Sequence, residues 1–166
     1  MTIRPFLPYS DRRLHIPAEP VQAITETVRM IWDDMIDTMD AMPGVGLAAP
    51  QIGIMLRLAV VDASDKRGQA IRMANPEVLH ASTQMRAHDE ASPNLPGVFA
   101  RIERPRAVTV RFLNDRAEIE DRDFVGLWAT SVQHQIDHLD GKLYVDHLTP
   151  LRRKMLVAKS AKLARR

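Results

Sequence analysis

The order of helical and strand patterns along the chain is the feature that most constrains its fold. From Val21 to Met42, apolar residues recur every three or four positions, which predicts one long amphipathic helix that ends at Pro43-Gly44. Short strand patterns follow, and two further helical segments come last. Because helices do not alternate regularly with the strands, the sequence predicts an α+β fold with a mostly antiparallel sheet.

Strand and helix boundaries follow from local patterns. Alternating or β-rich runs predict strands at residues 56–61, 71–74, 77–79, 107–113 and 117–121. Helical spacing predicts a second helix over residues 124–139, which Asp140-Gly141 ends. Thr149-Pro150 then supplies an N-cap and a first-turn proline for a C-terminal helix.

Length and composition limit the classes of protein that this chain can represent. The 166 residues suit one domain over positions 1–166, with ordinary hydrophobic (45%) and charged (27%) fractions. No apolar run approaches the ~18 residues of a membrane span, and Met1 to Ser10 lacks a secretory pattern, so we expect a cytoplasmic protein. The absence of cysteine excludes disulfides and thiolate metal ligands.

The C-terminal segment is strongly basic. Residues 149–166 contain seven lysines and arginines and no acidic residue. A basic helix can bind the phosphates of RNA, although such a run is also typical of a solvated helix face. Arg152 to Arg166 is therefore a candidate contact for RNA or the ribosome, and we expect no DNA contact and no membrane contact.

Two histidines occur four positions apart in the second predicted helix. His134-Gln135-Ile136-Asp137-His138 places both imidazoles on one helix face, where they can share a metal ion. The same spacing is compatible with two buried histidines that only make hydrogen bonds. The pair alone does not distinguish these roles.

A stretch of small residues follows the first predicted helix. Gly44-Val45-Gly46-Leu47-Ala48-Ala49-Pro50-Gln51-Ile52-Gly53 allows close approach to its backbone, and Gln51 offers an amide donor. It contains neither the third glycine of a dinucleotide fingerprint nor a Gly-Lys-Ser/Thr sequence. It is either a binding loop or a turn after a helix.

Together these motifs resemble the peptide deformylase family. Residues 44–53 resemble the first family motif, residues 134–138 resemble the third motif His-Glu-x-Asp-His, and residues 141–151 resemble the stretch after it. The resemblance extends over essentially the whole chain. It implies short, mostly antiparallel sheets around a central helix with the histidine pair, plus a long N-terminal helix and a C-terminal helix.

The resemblance also implies a reaction, the removal of the formyl group from the N-terminal formylmethionine of new proteins. The family uses Fe²⁺ or Zn²⁺ held by one cysteine and two histidines, with a glutamate as general base and acid. By resemblance, His134 and His138 are metal ligands and Gln51 is an oxyanion donor. Gly44, Val45 and Gly46 are substrate-binding residues.

The second family motif, Glu-Gly-Cys-Leu-Ser-x-Pro-Gly, aligns with residues 90–97 and is altered. Ser92 replaces the cysteine ligand, and Pro93 replaces the residue whose backbone N–H binds the oxyanion. Gln135 occupies the general-base position, where an amide cannot transfer a proton near neutral pH. Phe99 stands where the family has an arginine on the substrate side.

These substitutions favour a catalytically inactive homologue without a cofactor. Its expected ligands are an N-terminal formylmethionine peptide or the ribosome. The alternative is a residual metal-dependent hydrolase, acting on formylmethionine or a related amide, with Fe²⁺ or Zn²⁺ and Ser92 as a degenerate third ligand. A third hypothesis is an RNA-binding module that uses the basic C-terminal helix.

Overall fold

The computed structural model describes residues 1–165, which form three α-helices and two antiparallel sheets. The elements in chain order are α1 (Glu26–Ala41), β1 (Gly46–Ala48), β2 (Leu58–Val61), β3 (Ile71–Ala81), β4 (Met85–Ser92), β5 (Leu95–Pro105), β6 (Ala107–Leu113), β7 (Ile119–Val125), α2 (Leu127–Leu139) and α3 (Pro150–Ala164). One sheet has the order β1-β2-β3-β6-β7, and β4 pairs with β5. The α+β prediction is confirmed.

Helix α1 matches the predicted N-terminal helix but begins later. The side chain of Thr25 accepts a hydrogen bond from the backbone N–H of Val28 at 3.2 Å, which fixes the helix start. Val21 lies outside the helix because its backbone N–H donates to the side chain of Asn75 at 2.8 Å. The apolar face of α1 buries Trp32 and Met35 completely, so the predicted periodicity correctly identified the buried face.

The predicted strands exist in the structure, but several of them begin or end at other residues than predicted. β6 has the predicted bounds, whereas the two short strands at residues 71–79 are one strand, β3, with a register shift between Ala74 and Glu77. β7 begins at Ile119 because the side-chain oxygen of Asn114 accepts hydrogen bonds from the backbone of Arg116 and Glu118, which prolongs the turn.

The hairpin of β4 and β5 was not predicted. In β5, buried Val98, Ala100 and Ile102 alternate with exposed residues, as in a half-buried strand. β4 lacks an apolar face, since its inward positions include Glu90 and Ser92. This hairpin carries the altered second motif.

Helix α2 is the central helix that the resemblance implied. It contacts β1, β2 and β7 of the larger sheet and β5 of the hairpin. It begins at Leu127 rather than at residue 124, because Phe124 still belongs to β7. Gly141, after its C-terminus, has a φ of +79°, and an added Cβ would lie 2.7 Å from the carbonyl carbon of Ile16.

Helix α3 packs against β5 and has the predicted cap. The Thr149 side chain accepts a hydrogen bond from the backbone N–H of Arg152, and the Ser160 hydroxyl donates to the carbonyl of Pro96 at 2.7 Å. Most of its basic side chains are exposed, and Arg166 lies outside the described residues. No helix within residues 1–165 has the length and apolarity needed to span a membrane.

Candidate active site

A pocket of about 380 Å³ opens between the loop after α1, strand β4 and one face of α2. The α2 residues that line it are Leu127, Thr130, Ser131, His134 and Gln135, spaced by three or four positions. Residues at this spacing share one helix face. The pocket therefore joins segments that are far apart in the sequence.

Most predicted site residues meet in this pocket. Its lining includes Gly44, Val45, Gly46, Gln51, Ser92, Pro93, His134 and Gln135. His138 is 1% exposed and lies beside His134. Phe99 is the exception. Its side chain is on the outward face of β5 and 64% exposed, so the structure does not place it in the pocket.

The two histidines face each other through their Nε2 atoms, which are 3.2 Å apart. Two imidazole nitrogens bound tetrahedrally to one zinc ion lie about 3.4 Å apart, given Zn–N bonds of ~2.0–2.1 Å. Burial and the neighbouring His134 hold the pKa of His138 well below its usual value of 6.5. His138 is therefore neutral at pH 7.

A buried ionic network fixes the orientation of His134. Its Nδ1 contacts Glu90 at 2.8 Å, and Arg104 donates two hydrogen bonds to the same carboxylate at 2.7 and 3.0 Å. Burial raises the pKa of Glu90, but the hydrogen bonds from His134 and Arg104 outweigh burial, so the pKa lies below 4.5. The ionised carboxylate makes Nδ1 of His134 the donor in this contact, and Nε2 faces His138.

Asp137 extends this network to the surface. Its carboxylate accepts hydrogen bonds from Arg104 at 2.9 Å and from His147 at 2.7 Å. Burial raises the pKa of Asp137, but the His147 hydrogen bond and the Arg104 charge bring it below its usual value. Arg104 therefore links two carboxylates, and sequence analysis did not identify it because its partners are 14 and 33 positions away.

Ser92, Gln51 and Asn94 form a second hydrogen-bonded group. The Gln51 amide donates to the side-chain oxygen of Asn94 at 2.7 Å and approaches the Ser92 hydroxyl at 3.4 Å. The Ser92 hydroxyl lies 3.2 Å from the same Asn94 oxygen. Sequence analysis did not single out Asn94, although it aligns with a serine of the second motif. The amide of Gln51 is thus bound within the protein.

Gln135 is 4% exposed and lies against Gly46. A Cβ at Gly46 would come within 2.4 Å of the Gln135 amide nitrogen and 2.5 Å of the Ser131 hydroxyl, so a larger residue here would have to displace both side chains. The side-chain oxygen of Gln135 is buried without a hydrogen-bond partner in the described part of the chain. An amide at this position donates and accepts hydrogen bonds but does not take up a proton.

These residues match a three-ligand metal centre only in part. The Nε2 atoms of His134 and His138 have suitable spacing, but residues 1–165 contain no group of three His, Cys, Asp or Glu side chains that could hold a metal. The third position offers the neutral hydroxyl of Ser92. A metal-binding His138 would also need an acceptor for its Nδ1–H, and this buried atom has no partner among the described residues.

Comparisons with known proteins agree with the fold and the motifs. The family model for polypeptide deformylase matches residues 3–154. A "peptide deformylase-like" protein of Bradyrhizobium diazoefficiens is 41% identical and covers 99% of this chain and 96% of its own length. A crystal structure of a peptide deformylase from Legionella pneumophila superposes with a TM-score of 0.93 at 38% identity, covering 99% of this chain and 96% of its own.

A further relative has a peptide ligand. The Met-Ala-Ser-bound crystal structure of a class I type b peptide deformylase from Acinetobacter baumannii matches with a TM-score of 0.83 at 30% identity. The match covers 89% of this chain and 99% of that one. By fold, motif order and sequence identity, the chain belongs to the peptide deformylase family.

Proposed function

We propose that this protein binds peptide N-termini in the deformylase pocket without deformylating them. The observation that carries the proposal is the lining of the pocket, in which Ser92, Pro93 and Gln135 occupy positions where the family reaction needs a thiolate, a backbone N–H and a carboxylate. All three replacements affect groups that would contact the reacting atoms.

Each replacement removes a separate contribution to catalysis. Gln135 cannot shuttle a proton, and general acid–base catalysis contributes about 10²–10⁴-fold to rate. Pro93 has no N–H to stabilise an oxyanion, a loss of roughly 10²–10³-fold. These factors do not multiply fully, because groups that act as a unit lose their effect together. Either loss alone makes deformylation slow.

The remaining oxyanion donor is engaged as well. The Gln51 amide donates to Asn94 at 2.7 Å, and Asn94 is 1% exposed and also donates to the backbone carbonyls of Leu7 and Gln51. Releasing the Gln51 amide requires breaking this buried group. A substrate carbonyl in the pocket therefore finds neither oxyanion donor of the family site available, because position 93 has no N–H and the Gln51 amide is already bound to Asn94.

A peptide remains a suitable ligand for the pocket. β1 lies at the edge of the five-stranded sheet and lines the pocket with Gly46, so an extended peptide can add to this edge. The pocket walls near this edge are formed by apolar side chains of Met42, Val45 and Leu127. The relative from Acinetobacter baumannii binds the tripeptide Met-Ala-Ser.

A residual metal-dependent hydrolase is the second candidate. It is favoured by the 3.2 Å separation of the two Nε2 atoms and by the Glu90 contact that orients His134. In that case His134, His138 and Ser92 would hold Fe²⁺ or Zn²⁺, which supplies an activated water when bound. A ribosome contact through the exposed basic face of α3 is compatible with either candidate, and its strength would fall steeply with salt.

The test compares the natural protein with a variant in which the three family residues are restored, Ser92→Cys, Pro93→Leu and Gln135→Glu. Both are mixed anaerobically with formyl-Met-Ala-Ser and Fe²⁺, and free amine and peptide binding are measured. We expect the natural protein to bind the peptide and leave it intact, while the variant releases formate. Deformylation by the natural protein at the rate of the variant would refute the proposal.

A further inference from the structure

We propose that the pocket selects a ligand side chain with an acidic tip, glutamate above all, over methionine. This inference rests on the proposed function, because it specifies which peptide the pocket binds. It comes from residues at the end of the pocket distant from Ser92.

Two side-chain contacts join strand β4 to helix α2 across the pocket. Glu90 contacts His134 at 2.8 Å, and Arg86 donates to the hydroxyl of Thr130 at 3.0 Å, one helical turn before His134. Alternate residues of a strand share a face, so His88 faces α2 between these two contacts. His88 and Thr130 line this end of the pocket, and Arg86 lies behind the lining, where its guanidinium reaches the Thr130 hydroxyl.

The charges at this end are unbalanced. Glu90 is held by Arg104, and Asp89 is an exposed side chain within 3.8 Å of Arg101. Arg86, in contrast, donates to the neutral hydroxyl of Thr130 and forms no ion pair in the described part of the chain. His88 likewise makes no hydrogen bond among residues 1–165. The half-buried Arg86 guanidinium thus has one neutral acceptor, the Thr130 hydroxyl, and the half-buried His88 imidazole has none among the described residues.

A glutamate side chain fits these requirements. Its two methylenes can lie between the apolar walls of Val45 and Leu127, and its carboxylate can accept from His88 in the lining. Beside Thr130, it can also accept from the N–H groups of Arg86 that Thr130 does not use. Methionine has a similar length, but its thioether is only a weak acceptor. Binding methionine would desolvate these donors without replacing their hydrogen bonds.

The experiment measures Kd by calorimetry at pH 7 for three peptides, formyl-Glu-Ala-Ser, formyl-Gln-Ala-Ser and formyl-Met-Ala-Ser. We expect the glutamate peptide to bind about tenfold more tightly than the methionine peptide, with glutamine between them. Arg86→Met should weaken glutamate binding about tenfold and leave the other two nearly unchanged. Arg111→Met removes the same charge from an exposed position on β6 and should change none of the three.

His88→Leu provides a second variant, which should raise affinity for the methionine peptide. Circular dichroism of each variant establishes that it is folded. Equal or tighter binding of the methionine peptide by the natural protein would overturn the inference and leave the proposed function intact. Failure to bind any of the three would overturn the proposed function as well, and release of formate would refute only the claim that the protein does not deformylate.

Discussion

Replacing Arg104 with methionine is expected to destabilise the protein by about 3–5 kcal/mol, the usual cost of removing one partner from a buried ion pair. The side chains of Arg104 and Glu90 are 5% and 3% exposed, and three hydrogen bonds join Arg104 to Glu90 and Asp137. Methionine fills a similar volume but leaves both carboxylates without their cation. For a domain of this size, the loss corresponds to a fall in Tm of roughly 6–20 °C.

Urea unfolding followed by tryptophan fluorescence would measure this loss, because the indole of Trp32, one of the two tryptophans, is completely buried. Arg111→Met is the matched control, since Arg111 makes an equally short contact with Asp121 on the exposed face of β6 and should contribute little. Adding Glu90→Gln to Arg104→Met neutralises the more deeply buried carboxylate and should recover part of the stability, while Asp137 keeps its contact with His147. A cost for Arg104→Met no larger than for Arg111→Met would refute the assigned role of the network.

The remaining predictions concern acid stability, helix docking and the pocket wall. The pKa of Glu90 is lowered in the folded protein, so the stability that this carboxylate contributes is present above its unfolded pKa of about 4.3 and is lost as pH falls through the folded pKa. Urea midpoints measured between pH 7 and 3 should therefore fall less steeply in Arg104→Met than in the natural protein. Ser160→Ala should cost about 1–2 kcal/mol in urea unfolding, because it removes the part-buried hydrogen bond from Ser160 to Pro96. Gly46→Ala should weaken peptide binding at least about tenfold in calorimetry, because the new methyl group would displace Gln135 and Ser131; unchanged affinity would contradict the described pocket wall.

The helices were predictable because their signals are local. The periodicity of α1, the cap at Thr149 and the stop at Gly141 depend on neighbouring residues. The cap and the stop lie where they were predicted, and α1 has the predicted buried face but begins at Glu26. β6 was predicted with its observed bounds for the same reason, because buried Val108 and Val110 alternate with more polar residues.

The hairpin of β4 and β5 escaped prediction because its inward face includes charged residues. Glu90 and Arg104 are buried, and they contact each other and α2. From sequence alone, charged residues such as these are predicted to lie at the surface. Only the tertiary fold brings their partners together. Their burial therefore has no local signal, whereas the alternation of β5 was available in the sequence.

The sequence predicted which residues belong to the site better than it predicted the contacts between them. The resemblance identified Gln51, Ser92, His134 and Gln135, which meet in the pocket. The resemblance gave no indication that Asn94 binds the Gln51 amide. Asn94 replaces a family residue, and its contact with Gln51 spans 43 positions of the sequence. The outward direction of Phe99 likewise depends on the register of β5.

The central claim is that this member of the family binds peptide without deformylating it. Its most direct test is the release of formate from formyl-Met-Ala-Ser by the natural protein, with bound iron and zinc quantified in the same sample and the restored triple variant as reference. The account predicts an intact peptide with the natural protein and formate release with the variant. Formate release by the natural protein at the rate of the variant, with near-stoichiometric metal, would contradict it.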